Sequence, residues 1–431
     1  MPRPKPSRFR RMGLIVLGVG IGFFLFVVLA NFVRNEKKVE HVVESVYAVA
    51  DPQFVRTMGT LLGPALEDGN AVTELINGDA IFPPMLAAIR GAQHTITLET
   101  YIYWSGDIGK KFAAALAERA RAGVRVLVLL DWAGSARMDA ALLDQLTESG
   151  CAVERYHAPH WYHLTRLNNR THRKLLVVDG RIGFTGGVGI GDEWTGNAQN
   201  PQHWRDTHFK VEGPVVARMQ AVFMDNWIKA RAKVEHTGDF FPPLAPAGNL
   251  SAQMFHSSPE GGSENIRLMY LLSIAAARHT LLLEQSYFVP DDLITDMLAT
   301  AARRGVRVEI ITPGPLIDTP KVRRASRARW GPLLEAGVKI YEYQPTTLHA
   351  KIMVVDDLWS SVGSTNFDNR AFRLNDEANL NIYDAGFAAQ MTRTFAADKK
   401  VSREITLAEW RARPWFTKLT DRFWSIFRQQ M

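Results

Sequence analysis

Hydrophobic and polar positions divide the chain into three kinds of stretch. The first is an uncharged apolar run over residues 13–33. At about 1.5 Å per residue, a helix of that length spans a bilayer. The second kind repeats apolar residues every three or four positions. It predicts a helix entered through Pro83-Pro84, then helices over 109–122, 138–149, 266–278, 292–304 and 326–336. The third kind is short, β-branched and continuously apolar. It predicts buried strands over 95–103, 124–130, 152–156, 171–178 and 181–185, and again over 280–287, 306–312 and 338–343. Gly123 and Gly305 stand where a helix stop belongs. Strands alternating with helices predict β-α-β units.

The pattern occurs twice. Arg121-Ala122-Gly123-Val124-Arg125-Val126 returns as Arg303-Arg304-Gly305-Val306-Arg307-Val308. The expected fold class is α/β: two pseudo-symmetric halves, each a mixed, mostly parallel sheet flanked by helices, after one N-terminal transmembrane helix. The expected boundaries are a basic segment 1–12, a span 13–33, a linker with a connecting helix 34–70, a first half 71–245, a second half 246–400 and a C-terminal amphipathic segment 401–431. The proline-containing stretch 240–249 marks the join.

Charge changes the picture at one end only. The chain has 431 residues and a net charge of +7. Arg3, Lys5, Arg8, Arg10 and Arg11 supply five of those charges before the first acidic residue, so the body is nearly neutral. That weakens any case for a broad nucleic-acid-binding face. The basic flank predicts a cytoplasmic N-terminus, a single pass through the cell (inner) membrane and a catalytic body on the outer face; Arg34, Lys37 and Lys38 oppose it. Val28-Leu29-Ala30 is the alternative, a signal-peptidase site, but the length of the run favours a retained anchor. The single cysteine, Cys151, excludes an intrachain disulfide and argues against a Cys-based metal site.

The candidate chemistry lies in one further repeat. His172-Arg173-Lys174 with Asp179, and His349-Ala350-Lys351 with Asp356, both have the form H-x-K-x4-D. On a strand, residues two apart share a face, so each His lies beside its Lys. An imidazole and an ammonium together suit a phosphate: the amine holds oxygens, and the imidazole attacks phosphorus or protonates a leaving oxygen. One copy alone would read as an ordinary surface pair, and Asp179-Gly180 as an ordinary turn. Two copies in matching context, each followed by small residues (Gly186-Gly187 and Gly363-Ser364-Thr365-Asn366), point to function.

These paired motifs resemble the phospholipase D superfamily, over roughly residues 70–400. Asn169-Arg170-Thr171, Thr185-Gly186-Gly187, Gly191-Asp192-Glu193-Trp194, Trp204-Arg205-Asp206-Thr207-His208 and Phe367-Asp368-Asn369-Arg370 are similar to bacterial cardiolipin synthases. The first half departs from the family's G-[GS]-x-N: Gly189 stands where the second half has Asn366. The resemblance implies that both motifs meet at one site between the halves. It implies His172 as nucleophile, forming a phosphohistidine, and His349 as acid-base, although the two copies are too alike for the residues themselves to order them. Lys174 and Lys351 would neutralise the phosphoryl oxygens, with no metal or other cofactor.

Asp179 and Asp356 complete the candidate catalytic set, and as strand-ending residues they are read as pinning their hairpins. Supporting candidates are Ser364, Asn366, Asp206 and Glu377; the two acids either hold the imidazoles or form structural ion pairs. His163, His203 and His208 read as rim or structural residues. The basic run 321–329 suits anionic headgroups or a solvated helix face. The apolar stripe Trp415, Phe416, Leu419, Phe423, Trp424, Ile426 and Phe427 suits an interfacial helix or packing on the body. The function implied is a membrane-anchored phosphatidyltransferase joining two phosphatidylglycerols into cardiolipin and glycerol. Its partners would be anionic phospholipid and membrane, with no nucleic acid. The alternatives are a phospholipase D releasing phosphatidic acid, a membrane-anchored phosphodiesterase or nuclease, and a non-catalytic scaffold.

Overall fold

A computed structural model describes residues 8–30, 39, 41–158, 168–258 and 264–430. The expected basic segment up to residue 7, the end of the expected span at 31–33, the adjoining 34–38 and 40, and His163 lie outside the described residues.

The first part of the chain supplies strands β1 (Glu67–Ile76), β2 (Thr95–Thr100), β3 (Arg125–Asp131), β4 (Ala152–Tyr156), β5 (Arg170–Thr171), β6 (Leu175–Val178), β7 (Ile182–Gly186) and β8 (Thr207–Glu212). The second supplies β9 (Leu250–Ser257), β10 (Thr280–Gln285), β11 (Phe288–Val289), β12 (Arg307–Pro313), β13 (Lys339–Tyr343), β14 (Lys351–Val355), β15 (Trp359–Gly363), β16 (Phe367–Asp368), β17 (Asn375–Tyr383) and β18 (Ser402–Ile405). All but β11 and β16 form one sheet, in the order β18-β13-β12-β10-β14-β15-β17-β9-β1-β8-β7-β6-β2-β3-β4, with β5 pairing β17 to one side. The order reads almost the same outward from the central β9–β1 pair in both directions.

The sheet is mixed, but most of its pairings are antiparallel, which corrects the expectation of a mostly parallel one. The parallel pairs β2–β3–β4 and β10–β12–β13 are those joined through helices. A helical crossover returns the chain in the same direction, whereas a hairpin reverses it. The centre of the sheet is antiparallel because β1, β8, β9 and β17 meet there. β1 begins at Glu67 and so crosses the expected boundary at 70/71.

The predicted helices form with shifted ends, except that 326–336 is divided at Arg329 between Pro320–Ala328 and Trp330–Glu335. Asp107–Arg121 and Asp292–Arg303 are followed by Gly123 at φ 91° and Gly305 at φ 95°, a left-handed step that glycine takes at least cost. The helix containing Pro83 and Pro84 is Asn77–Gly91, so the prolines lie inside it and not at its entry. It starts early because Asn77 N–H donates to the Asp206 carbonyl at 3.0 Å and Asp79 N–H to the Gly196 carbonyl at 2.9 Å. Three large apolar clusters hold the layers. One gathers the second part of the chain with Val49, Phe54, Met58 and Leu62, and another the first part. The third mixes the two parts of the chain, with Leu175, Val177 and Phe209 beside Ile352, Val354 and Leu380.

At the N-terminus, Arg8–Ala30 is helical and Leu14, Val16, Phe23, Phe24 and Phe26 are exposed. Among the described residues no helix is long and apolar enough to cross a membrane.

Candidate active site

The motif segments are not continuous strands. The expected strand 171–178 divides into β5 and β6, and residues 172–174 belong to neither. In the second copy β14 starts at Lys351, leaving His349 outside it. The cause is a change of hydrogen-bonding partner. β5 pairs with β17 from the other part of the chain, and His172 N–H donates to the Asp376 carbonyl at 2.9 Å. His349 N–H likewise donates to the Arg205 carbonyl at 2.7 Å, beside the bridge between Arg205 and Leu348. Each histidine therefore sits where its backbone passes from one set of strands to another.

The residue after each of those carbonyls holds the ring. His172 Nδ1 lies 2.9 and 3.1 Å from the two carboxylate oxygens of Glu377. His349 Nδ1 lies 2.8 Å from Asp206 Oδ2. Each carboxylate thus serves the histidine of the other motif, not of the one it follows in the chain. Both histidines are 7 % exposed, and they open onto a single cleft of about 710 Å³. Lys174 Nζ donates to its own His172 carbonyl at 2.8 Å. Lys351 Nζ lies 3.1 and 3.3 Å from the two ring nitrogens of His349. The intervening Arg173 turns away and donates to the Val222 carbonyl at 2.8 Å and to Asp225 at 3.1 Å.

Burial dominates the electrostatics, because charged groups lose hydration there. Burial and the neighbouring Lys351 push Lys174 down to about 7. Burial lowers Lys351 to about 8 against the pull of Asp206 and Glu377. Burial and Lys174 hold His172 well below the usual imidazole range. His349 is lowered by burial and Lys351, with Asp206 acting the other way. The two carboxyls part company. Burial would raise Asp206, but the charge and hydrogen bond of His349, with Lys351, hold it at about 2. Burial lifts Glu377 to about 8 in spite of Lys174 and Ser364.

Local packing accounts for the departure at Gly189. Ser364 Oγ donates to Glu377, whereas a Cβ on the corresponding Gly187 would collide with the Asp206 carboxylate. Asp206 instead accepts from Trp194 Nε1 at 2.9 Å and from Thr207 N–H at 2.8 Å. The Trp194 ring then occupies the space an amide at 189 would need: a Cβ there would lie 2.9 Å from Ile102 Cβ and 3.2 Å from Trp194 Cη2. In the second copy Asn366 lines the cleft and accepts from Ser286 Oγ at 2.6 Å. Gly189→Asn is expected to destabilise the protein by about 1–3 kcal/mol through overpacking. Denaturant unfolding of the two proteins side by side measures it.

The other candidates are spread out. Asp179 accepts from the backbone N–H groups of Gln93, His94 and Thr95, and Asp356 from those of Arg278, His279 and Thr280. Each has φ 51° in its hairpin turn, and neither lines the cleft. His208 is buried, and His203 Nδ1 lies 2.7 Å from Asn200. Lys321, from the basic run, does line the cleft.

Several lining residues stand outside the two H-x-K-x4-D motifs. Tyr101 meets the His172 ring edge-on at 5.2 Å, and Trp194 and Trp204 flank His349 at 5.2 and 5.6 Å. Arg370 donates to the Asn168 carbonyl at 2.7 Å and lines the cleft with Arg170 and Asp318. Tyr101 and Tyr287 each follow shortly after a buried glutamate, Glu99 or Glu284, at the end of β2 or β10. That recurrence is the signal from which both could have been found. Among the described residues no group of three or more His, Cys, Asp or Glu side chains is arranged to hold a metal ion.

Known proteins resemble this chain in sequence and in fold. The family described as "Cardiolipin synthase, PLD-like domain" matches residues 85–227 and 270–399. The major cardiolipin synthase ClsA of Bacillus subtilis is 36 % identical over 357 residues, covering 82 % of this chain and 74 % of that protein. Cardiolipin synthase A of Pseudomonas syringae is 35 % identical over 352 residues, covering 80 % and 72 %. Among solved structures, phosphatidylserine synthase from Haemophilus influenzae superposes with a TM-score of 0.68 at 14 % identity, over 88 % of this chain and 99 % of that one, a likeness of fold. The length and identity of these matches settle the lineage: the chain belongs to the cardiolipin synthase family of phospholipase D-like enzymes.

Proposed function

We propose that the protein is a membrane-anchored phosphatidyltransferase that joins two phosphatidylglycerol molecules into cardiolipin and releases glycerol. One observation carries the reading. Two imidazoles open onto one cleft, each held through Nδ1 by a buried carboxylate, with a lysine beside each. Holding Nδ1 leaves Nε2 of each ring to meet substrate.

His172 is the nucleophile in this reading. Burial favours its neutral imidazole, and with Nδ1 directed at Glu377 its Nε2 lone pair attacks phosphorus. The bond from phosphorus to the glycerol oxygen breaks, and His349 gives that oxygen a proton. Ionised Asp206 favours the imidazolium that this step requires. A phosphatidyl group now rests on His172. The hydroxyl of a second phosphatidylglycerol loses its proton to His349 and attacks the same phosphorus, and the P–N bond breaks. Lys174 and Lys351 hold the non-bridging oxygens; an arriving phosphodiester anion favours the ammonium form of both. Ser364 fixes Glu377, and Asn366 lines the cleft beside them.

The two halves, which begin at β1 and at β9, each bring one motif, and the apolar run 13–33, whose last residues lie beyond the described helix, is the proposed anchor in the cell membrane, with the N-terminus cytoplasmic and the body on the outer face. The test is incubation with phosphatidylglycerol vesicles and identification of the lipid products by mass. Cardiolipin with stoichiometric glycerol, absent for His172→Ala, is the expected outcome. Phosphatidic acid as sole product would replace this reading with a hydrolase.

A further inference from the structure

The C-terminal helix Trp415–Ile426 packs with its polarity reversed. Its buried residue is an acid, Asp421, 1 % exposed and bonded to Arg413. Thr420 accepts from Arg324, and Trp424 packs beside Val322, so this side lies on the helix Pro320–Ala328. The opposite side carries Trp415, Phe416, Leu419, Phe423, Ile426 and the adjoining Phe427, all exposed, with Trp415 at 76 % and Ile426 at 71 %. At 3.6 residues per turn these six share about a third of the circumference. An apolar patch of this kind on a folded surface marks a contact with something apolar.

The surroundings say what that is. Along the flank of the patch lies a second cavity, of about 750 Å³, lined by Arg329, Arg411, Arg413, Lys418, Arg422 and Arg428. Asp421, Asp292 and Glu335 pair with four of these cations. Lys418 and Arg422, one turn apart and exposed, have no carboxylate within pairing distance among the described residues. Aromatic side chains beside a cationic cavity with spare charge match one surface, a bilayer containing anionic lipid. The chain leaving this helix leads to Gln430, which bonds Asn168 and lines the catalytic cleft.

We propose that the exposed face of the C-terminal helix, with the cationic cavity beside it, is a second membrane contact, which takes the phosphate of an anionic lipid headgroup and sets the mouth of the cleft against the bilayer. The inference rests on the phosphatidyltransferase reading only for its purpose, not for the contact itself. It also divides the work at the membrane. The apolar run 13–33 is the proposed tether, and the C-terminal helix orients the protein.

The experiment uses the full chain in reconstituted membranes, with an environment-sensitive fluorophore on Phe423→Cys or, in a second protein, Trp415→Cys. Cys151 is buried, so the label goes to the new position. In membranes containing phosphatidylglycerol the fluorophore is expected to shift to the blue and to be quenched by spin-labelled acyl chains. In pure phosphatidylcholine both effects should be weak. Lys418→Glu with Arg422→Glu should lower the quenched fraction roughly tenfold in the anionic membrane. A label that stays in water in both membranes overturns the proposal. Equal quenching in both overturns the headgroup role. A blue shift in detergent that grows with protein concentration would assign the face to a second copy of this chain. The same labelled proteins carrying His172→Ala should insert unchanged, so loss of catalysis and loss of docking read out separately.

Discussion

A His349→Ala enzyme, given a phosphatidyl donor whose leaving group needs no proton, should accumulate a phosphatidyl group on His172. The adduct should appear by mass on the peptide containing residue 172 and should be absent from His172→Ala. The expectation follows from the division of labour between the rings. With a good leaving group the first step needs only the nucleophile, which His349→Ala retains. The second step needs a base to take the acceptor's proton, and that base is gone. On the natural donor both substitutions should lower turnover by at least ~10⁴-fold, because each removes a group that acts in both steps. If the adduct forms instead in His172→Ala, on His349, the two roles are reversed.

Asp206→Asn and Glu377→Gln should have opposite effects on stability near pH 8. Asp206 is held at about 2, below its ordinary 3.8. A lowered carboxyl stabilises the fold above its unfolded value, and that stability is lost as pH falls from about 4 towards 2. At pH 8 Asp206→Asn therefore removes all of it, roughly 2 kcal/mol, and leaves Trp194 and His349 with a weaker partner. Glu377 is raised from 4.5 to about 8. A raised carboxyl costs stability as pH rises through that window, with the full penalty reached above about 8. Glutamine mimics the neutral acid, so Glu377→Gln should raise the denaturation midpoint at pH 8–9 and leave it nearly unchanged at pH 4. The catalytic costs should differ too. Asp206→Asn loses the charge that supports the His349 imidazolium, and about 10³-fold in kcat/KM is expected; Glu377→Gln should cost about 10–100-fold. Denaturation midpoints and kcat/KM across pH 4–9 for the three proteins test the whole pattern. A midpoint for Glu377→Gln that falls at pH 9 would contradict it.

Much of the organisation is local, and local chemistry is written in order along the chain. The helices ending before Gly123 and Gly305, the apolar strands β3 and β12, the Asp179-Gly180 turn and the doubled H-x-K follow from neighbouring residues alone. The central strands are another matter. β17 reads Asn375-Asp376-Glu377-Ala378-Asn379-Leu380-Asn381-Ile382-Tyr383, half polar, with only the short alternation of Ala378, Leu380 and Ile382 to mark it. Its polar side chains are nonetheless buried, with hydrogen bonds to other strands and turns: Asn381 donates to Gln253 at 3.1 Å and Asn379 accepts from Thr365 at 2.7 Å. A buried polar strand is stable only when those partners are present, and no window of sequence contains them. The mostly parallel sheet expected from the β-α-β units fails because the central strands β8, β1, β9 and β17, which join the two parts of the chain, pair with one another antiparallel.

The site divides along the same line. The repeated motif by itself determined which side chains could do chemistry on a phosphate: His172, Lys174, His349 and Lys351. It named Asp206 and Glu377 as possible holders of the rings and left their partners open. Only the tertiary structure decided that each acid crosses to the other motif's histidine, that Trp194 fills the place of the missing amide at 189, and that the C-terminal helix turns its aromatics outward over a buried Asp421. The physical reason is distance. Turns, caps and strand patterns act between residues a few positions apart. An imidazole and its carboxylate need only meet in space, and the junction of β1 with β9 is what brings these together.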